Sequence, residues 1–511
     1  MPSANQPGSG SELEIKLALP TMDPAGLARQ LARLPVLARR TPLRRQVCNI
    51  YYDTPGGALQ ARSMALRLRR VDGPGAPRWL QTFKTGGGGD SALSLRGEWE
   101  VPVPGPALDP AALRAAPPWQ RVDPDGTVFA ALEAGFSTAF ERTTWTVRRR
   151  DGSAIEVALD IGQITCGERS APICELELEL LAGAPAALFD LAQQIAAHVA
   201  VLPLAASKAE RGHALRTGTL GAPQQARLAQ WRSDAPLQRI ARPVLGEMFA
   251  QFSANLHALC HDDNPELVHQ ARVGWRRFRS AVRLFRPAMA GASLPSLRGL
   301  HPVLALLGDL RDLGVAHTQT LPALRGAFVA GDAERARSWA ALEQSFAQAV
   351  QRQREAVRCA LQEPAVGVAL LALTRWLDDL ASLQTLGDGP GPSAKAVRHW
   401  VRQRMKRLHA QWKKALQDSA VPESQHRARI LAKRLRYNIE ALAPLLPARA
   451  QRWQREASAV QADVGLARDV LQAGVLANRL GAGPGIVEFL RGFAAGRDNA
   501  PLRAPSQPAR A

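Results

Sequence analysis

The chain has 511 residues, 46% of them apolar, and a formal net charge of +20. That length is too great for one ordinary core and asks for two domains or three. The five cysteines (Cys48, Cys166, Cys174, Cys260, Cys359) are scattered and form no CxxC pair, which argues against a disulfide framework or a thiolate zinc site.

No apolar run approaches the ~20 residues that span a bilayer. The opening MPSANQPGSGS carries no export pattern. A soluble, cytoplasmic protein without a membrane partner is therefore expected.

Residues 11–216 read mostly as β. Candidate strands are 12–19, 46–52, 64–71, 78–84, 95–103, 141–150, 153–161, 163–168 and 173–181, with Gly/Pro-rich breaks at 72–77 and 85–90. Helical patches fall at 24–34 and 185–199. Several strands alternate charge with aliphatic residues: Glu12-Leu13-Glu14-Ile15-Lys16, Leu66-Arg67-Leu68-Arg69, Glu98-Trp99-Glu100-Val101, and Glu175 through Glu179. The period of two places all the charges of a strand on one face. Acidic and basic strands together can build a site for a metal ion and a polyanion.

A linker is expected at 217–234, with a helical region over 235–500. Residues 1–220 hold 24 Lys+Arg and 22 Asp+Glu, a net of +2; the rest of the chain holds 65 − 24 = 41 and 45 − 22 = 23, a net of +18. A polycation of this kind calls for a polyanionic partner such as nucleic acid, an anionic membrane or polyphosphate.

The helical half repeats itself. Pro265, His269, Arg272, Arg276, Arg277 and Arg279 correspond to Pro422, His426, Arg429, Lys433, Arg434 and Arg436, and Gly308/Arg311/Asp312 to Gly465/Arg468/Asp469, all at an offset of 157. Two related bundles, about 235–390 and 393–500, are expected around the loop 387–393. On a helix, His269, Arg272, Arg276, Arg279 and Arg283 form one stripe, and Val268, Ala271, Trp275, Phe278, Val282 and Phe285 a separate apolar face. In the second unit His426, Arg429, Lys433 and Arg436 form the stripe. Guanidinium groups one turn apart can track a chain of phosphates. His269 and His426 are open between phosphate contact and helix packing. Asp312 and Asp469 are expected to pair with neighbouring arginines, Gly308 and Gly465 to permit close helix contact, and Asp53 to shape a turn.

The ordered set Glu12-x-Glu14-x-Lys16, Tyr51-Tyr52-Asp53-Thr54-Pro55, Leu66-Arg67-Leu68-Arg69, Phe83-Lys84, Arg96-Gly97-Glu98-Trp99-Glu100, Arg142, Asp160, Glu175/Glu177/Glu179 and Ser207-Lys208 resembles the CYTH superfamily, the triphosphate tunnel metalloenzymes. The helical half resembles the CHAD domain. The resemblance implies an α+β domain built on an antiparallel β-barrel tunnel, followed by an all-α domain of two repeated bundles.

It further implies hydrolysis of inorganic triphosphate, with Glu12, Glu14 and Lys16 at the catalytic centre. Lys16, Arg67, Arg69, Lys84, Arg96, Arg142 and Lys208 would hold the phosphates. Glu12, Glu14, Glu98, Glu100, Asp160, Glu175, Glu177 and Glu179 would hold Mg²⁺ or Mn²⁺. The CHAD resemblance implies inorganic polyphosphate on the basic stripes, including Arg277 and Arg434, with association to polyphosphate granules. Nonspecific nucleic acid is a further partner that the charge permits. An adenylate cyclase, an organic triphosphatase acting on thiamine triphosphate or a nucleotide, and a non-catalytic polyphosphate-binding protein are the alternatives.

Overall fold

A computed structural model describes residues 10–498 except 22, 73–75, 87–90, 233–234, 290–291, 384–393 and 419–421. The loop expected at 387–393 lies outside the described residues.

The first part runs β1 (Gly10–Ala18), α1 (Pro24–Ala32), β2 (Leu43–Asp53), β3 (Ala65–Val71), β4 (Arg78–Thr85), β5 (Leu93–Val103), α2 (Pro110–Arg114), α3 (Pro117–Val122) and α4 (Thr127–Ala130). It continues through β6 (Glu133–Arg148), β7 (Ala154–Cys166), β8 (Arg169–Ala182), α5 (Ala186–Ala196), β9 (Leu202–Pro203) and α6 (Lys208–Thr217). The strand order is β5-β4-β3-β2-β6-β7-β8-β1, and β1 pairs back onto β5. Every pairing in this ring is antiparallel. Eight strands thus close a barrel, which leaves no free edge, and β9 pairs with the end of β1.

The alternation acts in the reverse of the usual sense. Ile15, Leu17, Val157, Leu159, Leu176 and Leu178 point outward, where α1 and α5 cover them with Leu27, Leu31, Leu188 and Ile195. On another flank Leu66 and Phe83 are covered by Leu113 and Trp119 of α2 and α3. The charged residues of the same strands are left facing the interior.

The expected strands 153–161 and 163–168 are one strand, β7. Gly162 lies at the join without breaking it. A Cβ there would come 2.1 Å from the Ala139 carbonyl oxygen, so β6 approaches too closely for any side chain. β6 begins at Glu133, ahead of the expected 141. Helices α2, α3, α4 and α6 lie outside the expected helical patches; α2, α3 and α4 are only 4 to 6 residues long, too short for a helical period to show.

The helical part comprises α7 (Leu237–Leu259), α8 (Pro265–Phe285), α9 (His301–Val315), α10 (Leu321–Val329), α11 (Ala333–Leu361), α12 (Pro364–Leu383), α13 (Ala394–Gln417), α14 (Pro422–Ala441), α15 (Arg449–Arg479) and α16 (Pro484–Asp498). The 157-residue offset recurs in the elements. α7 and α13 begin at 237 and 394, α8 and α14 at 265 and 422, and each second helix ends in a short 3₁₀ turn, 286–288 and 443–445. Among the described residues no single helix is long and apolar enough to span a bilayer.

The two parts share packing. α12 lies on α5 and β9, and its Leu371 is fully buried among Leu188, Leu191 and Val201 of the barrel. Arg375 of α12 donates to Asp190 of α5 at 2.7 Å. At Gly367 the helix touches the barrel chain, where a Cβ would lie 2.5 Å from the Val201 carbonyl oxygen. Gly367→Ala must push α12 off that carbonyl. A loss of about 1–3 kcal/mol with unchanged far-UV circular dichroism at 20 °C is expected, read as a lower urea midpoint; an unchanged midpoint would show that the contact is not fixed.

Candidate functional site

The barrel encloses a cavity of about 670 Å³. Cross-strand register sets its lining: Lys84 stands opposite Glu98, Arg142 opposite Asp160, Glu156 opposite Glu179, Glu14 opposite Glu179 and Lys16 opposite Glu177. One end is stoppered by α6, which carries Leu215 into a cluster with Val47, Phe136 and Phe140. Gly212 lets that helix sit on Phe136, since a Cβ there would fall 2.0 Å from the ring. Ser207 and Glu210 close a reciprocal N-terminal cap on α6, so Lys208, its first residue, is held at the cavity wall.

At the stoppered end three carboxylates meet three cations. Arg142 donates to both oxygens of Asp160, at 2.7 and 2.6 Å, and to Glu177 at 2.5 Å. Lys208 reaches Asp160 at 2.6 Å, Glu177 at 3.0 Å, and Glu175. Arg211 grips the other oxygen of Glu175. Asp160 and Glu175 are fully buried. Burial alone would raise Asp160, but Arg142 and Lys208 outweigh it and hold the carboxyl below its usual range. Glu177 is likewise held well below, against burial, by Lys208, Arg142 and Lys16. Asp160, Glu175 and Glu177 offer oxygens within 4.8 Å of one another, yet their charge is already met by cations.

Further along, Lys84 bridges Glu12 at 2.6 Å and Glu98 at 3.2 Å. Arg67 lies 3.5 Å from Glu98, and Thr82 donates to Glu100 at 2.8 Å. Lys16 and Arg96 both face Glu14. Arg69 is pushed down to about 10, by burial first and then by Arg67 and Arg142. These guanidinium groups crowd one wall and favour an anion between them.

The opposite corner is crowded with the other sign. Glu179 is pushed up to about 7, by burial first and then by Glu12 and Glu156, with Glu98 adding to them and Lys84 opposing. Neither Glu156 nor Glu179 has an ion-pair partner among the described residues. A cluster of carboxylates edged by Lys84, in which one group resists ionising, has the donor chemistry of a hard divalent cation.

Of the expected set, Glu12, Glu14, Lys16, Arg67, Arg69, Lys84, Arg96, Glu98, Glu100, Arg142, Glu177, Glu179 and Lys208 line the cavity, while Asp160 and Glu175 lie behind its wall. Tyr51, Glu156 and Ser207 also line it. Glu156 shares the alternation of Glu156-Val157-Ala158-Leu159-Asp160, the signal that would have found it. Asp53 shapes a turn: its carboxylate accepts from the backbone N–H groups of Thr54, Leu59 and Gln60 at 2.7–3.0 Å.

In the helical part the two basic stripes face each other. Lys433 is pushed down to about 7, by burial first and then by Arg276, Arg429, Arg468 and Arg436. His269 is lowered by burial, then Arg311, Arg276 and Arg272. Asp469 is raised by burial and by Asp312, although Arg429 and Arg468 pull the other way. Equivalent residues of the two repeats, Arg276 with Lys433 and Asp312 with Asp469, therefore lie near each other. Arg311 and Arg468 join the cluster from the second repeated motif. Among the described residues, buried N–H groups of Arg276 (Nε) and Arg429 (Nε, Nη1) have no hydrogen-bond partner, and Arg436 Nε lies 3.8 Å from Glu440.

Other stripe residues depart from expectation. Arg277 is buried, donating to Gln251 at 2.7 Å and Glu440 at 3.3 Å, which makes it a packing residue. Arg279 points to solvent. Arg283 and Arg434 line a separate cavity of about 300 Å³ with Arg286 and Arg404. Gly308 makes room for a side chain rather than a helix, since a Cβ would lie 2.8 Å from Arg272 Nη1. The side chain of His426, and Gly465, fall outside what the structure describes.

Comparison with known proteins agrees with this division. Residues 11–213 match the family model of the CYTH domain, and residues 243–478 that of the CHAD domain. An inorganic triphosphatase of Haemophilus influenzae is 35% identical over 205 residues, which are 40% of this chain and 54% of the relative. The match thus spans about half the length of that relative. A CHAD domain from the plant Ricinus communis is 28% identical over 55% of this chain and 94% of its own, with a TM-score of 0.47. The Hippeastrum protein HpAC1, described as an adenylyl cyclase candidate with a dominant triphosphatase activity, is 19% identical over 41% of this chain and 97% of its own, with a TM-score of 0.29. The chain is a CYTH domain followed by a CHAD domain.

Proposed function

We propose that the tunnel hydrolyses inorganic triphosphate to diphosphate and phosphate with a divalent metal, and that the helical domain binds linear polyphosphate. One observation carries the first part: in one cavity Arg67, Arg69 and Arg142 crowd closely enough to lower Arg69, while Glu12 and Glu156 crowd and raise Glu179. The lining holds seven acidic and seven basic side chains, so the wall as a whole is neutral. A neutral but polarised wall suits a polyanion that arrives with its counter-cations.

Arg67, Arg69 and Arg142 would bind and orient phosphoryl oxygens through their forked N–H groups. Lys84, between Glu12 and Glu98, would hold the chain at the border of the acidic corner. Glu12 and Glu179, with Glu156 beside them, would hold Mg²⁺ or Mn²⁺, which supplies electrophilic charge to the phosphoryl group being transferred. Asp160 and Glu175 keep Arg142 and Lys208 aimed into the cavity.

The test is phosphate release from triphosphate, ATP and thiamine triphosphate by the full-length protein, with Mg²⁺, with Mn²⁺ and with excess chelator. Metal-dependent turnover selective for triphosphate is expected, and Glu179→Gln should weaken metal affinity at least ~10-fold. No turnover by the folded protein sinks the reading. The raised Glu179 fixes the sign of a pH effect. Its carboxyl takes a proton as pH falls through about 7, and that proton competes with the metal. The half-saturating metal concentration should rise on going from pH 8 to pH 6, and a flat profile would remove Glu179 from the metal site.

The second part rests on Arg276 of one repeat crowding Arg429 and Lys433 of the other, with buried N–H groups of Arg276 and Arg429 that have no hydrogen-bond acceptor among the described residues. Phosphate oxygens would meet them. A linear polyphosphate is itself two-fold symmetric about a bridging oxygen, which matches a site built from two repeats. Lys433 is half-neutral near pH 7, and a phosphate would draw a proton onto it. Polyphosphate affinity should therefore fall from pH 6 to pH 9 by several-fold. Lys433→Arg should flatten that profile, as titration calorimetry at constant ionic strength would show.

A further inference from the structure

The offset of 157 lets each position of one helical repeat be set against its counterpart in the other. Arg277 and Arg434 are counterparts, but their surroundings are opposite in sign. Arg277 of α8 donates to Glu440 of α14 at 3.3 Å and to Gln251 of α7 at 2.7 Å. The charge of Glu247 of α7 favours it as well. By the same offset the counterpart of Glu440 is Arg283, that of Glu247 is Arg404, and that of Ala443 is Arg286. One arginine is thus placed beside two carboxylates, and its counterpart among three more arginines.

These four arginines converge on one space. Arg283, Arg286, Arg404 and Arg434 line the cavity of about 300 Å³ between α8, α13 and α14. Among the described residues no carboxylate lines it, and none of the four arginines has an ion-pair partner. Two further lining residues, Ser280 and Asn438, are buried. The Ser280 hydroxyl donates to Asn438 Oδ1 at 2.9 Å and ties α8 to α14 there. With that oxygen engaged, Asn438 has its amide N–H groups to offer a ligand. Arg276, Arg311, Arg429, Lys433 and Arg468 do not line this cavity, so it shares no side chain with the cluster where the two stripes meet. Arg434 is lowered by burial first and then by Arg283 and Arg404, in keeping with their common position.

We propose that this cavity is a second anion site of the helical domain, for a compact phosphate anion of the diphosphate class, formed where Arg283 and Arg404 stand in the places that Glu440 and Glu247 hold around Arg277. It depends neither on the tunnel's reaction nor on what binds between the stripes. Its volume lies at the lower end of small-molecule sites, about 300–1,000 Å³, which suits one or two phosphoryl groups and not the length of a chain. Four guanidinium forks without a carboxylate among them call for a ligand with several negative charges and many acceptor oxygens. Diphosphate meets both demands. Orthophosphate has the same chemistry with fewer contacts and less charge, so it binds the same site more weakly.

The full-length native protein, Arg283→Glu and Arg402→Glu would be titrated by calorimetry with diphosphate, orthophosphate and long-chain polyphosphate, at constant ionic strength and with excess chelator. Arg283→Glu gives Arg434 the partner that Arg277 has. Arg402 is exposed on α13 and does not line the cavity, so Arg402→Glu makes the same change of charge outside it. Arg283→Glu should weaken diphosphate binding at least ~10-fold and long-chain binding by no more than about threefold, and Arg402→Glu should stay within about threefold of native for both. Diphosphate bound in the tunnel contributes equally to all three proteins, so the difference between them isolates the cavity. The position of the ligand is read separately, by labelling the arginines of the native protein with phenylglyoxal and locating the adducts by mass spectrometry. Saturating diphosphate should slow labelling of Arg283 and Arg404 at least ~3-fold and leave Arg402 unchanged. Equal diphosphate affinity in native and Arg283→Glu proteins, equal losses in the two variants, or no protection of Arg283 and Arg404 would each overturn the proposal. A loss confined to long-chain binding would overturn it too, because the cavity would then be an extension of the polyphosphate site. The labelling needs only the native protein, so it decides the matter even if Arg283→Glu fails to fold.

Discussion

A charge taken out of water must find a partner, and the barrel is organised around that constraint. Its strands alternate aliphatic and ionised residues, so one face has to be dry and one polar. Four helices and their loops cover the aliphatic face from outside, which leaves the ionised face to fill the interior. Isolated ions there would cost several kcal/mol each. The fold answers by register: Arg142 stands opposite Asp160, Lys84 opposite Glu98 and Lys16 opposite Glu177. A slip of one residue in any of these ladders would bury leucine against arginine. The same pairing that specifies the function therefore also specifies the fold.

Like charges crowd in two places, and they are the informative ones. Arg69 is discouraged from its charge by two other guanidinium groups, and Glu179 from its own by two other carboxylates. The ladder alone could have neutralised Glu179, because a basic residue at 156 would have paired with it across β7 and β8. Glu156 stands there instead. Like charge held together in a barrel whose other lining ions are paired is the physical mark of a ligand site.

The sequence was legible where a property is periodic and silent where it depends on register. Glu12-x-Glu14-x-Lys16 and Arg67-x-Arg69 announce which residues share a face, and the barrel places them there. Nothing local distinguishes Glu175, paired behind the wall, from Glu179, two pleats along and unpaired. That difference belongs to Lys208 and Arg211, about thirty residues later in the chain. Gly162 looked like a strand break because its lack of a side chain serves a neighbour rather than a turn. Arg277 looked like one more member of a basic row, yet it is one position, about 100° around the helix, from Arg276. That rotation carries it out of the groove and onto Gln251 and Glu440. The repeat was legible because an offset of 157 survives in the text, and Arg311 and Arg468 could have been added to the cluster on that ground alone.

The two basic sites solve opposite problems. In the tunnel each cation already has a carboxylate, so an entering anion must compete with built-in partners and can win only with counter-cations of its own. Such a site discriminates by charge arrangement and stays closed to an arbitrary polyanion. In the helical groove Arg276 and Arg429 have no ion-pair partner among the described residues, so their charges crowd one another and lower Lys433 between them. A phosphate chain bound there, as proposed, would relieve that crowding, whereas the tunnel would admit only an anion arranged to match its built-in partners. The shared packing of α7 and α12 on the barrel ties the two together, because Leu371 and Leu204 each lie in the core of the other domain. A flexible tether would only keep the two sites near each other; a common core also fixes which face of the helical bundle meets the barrel.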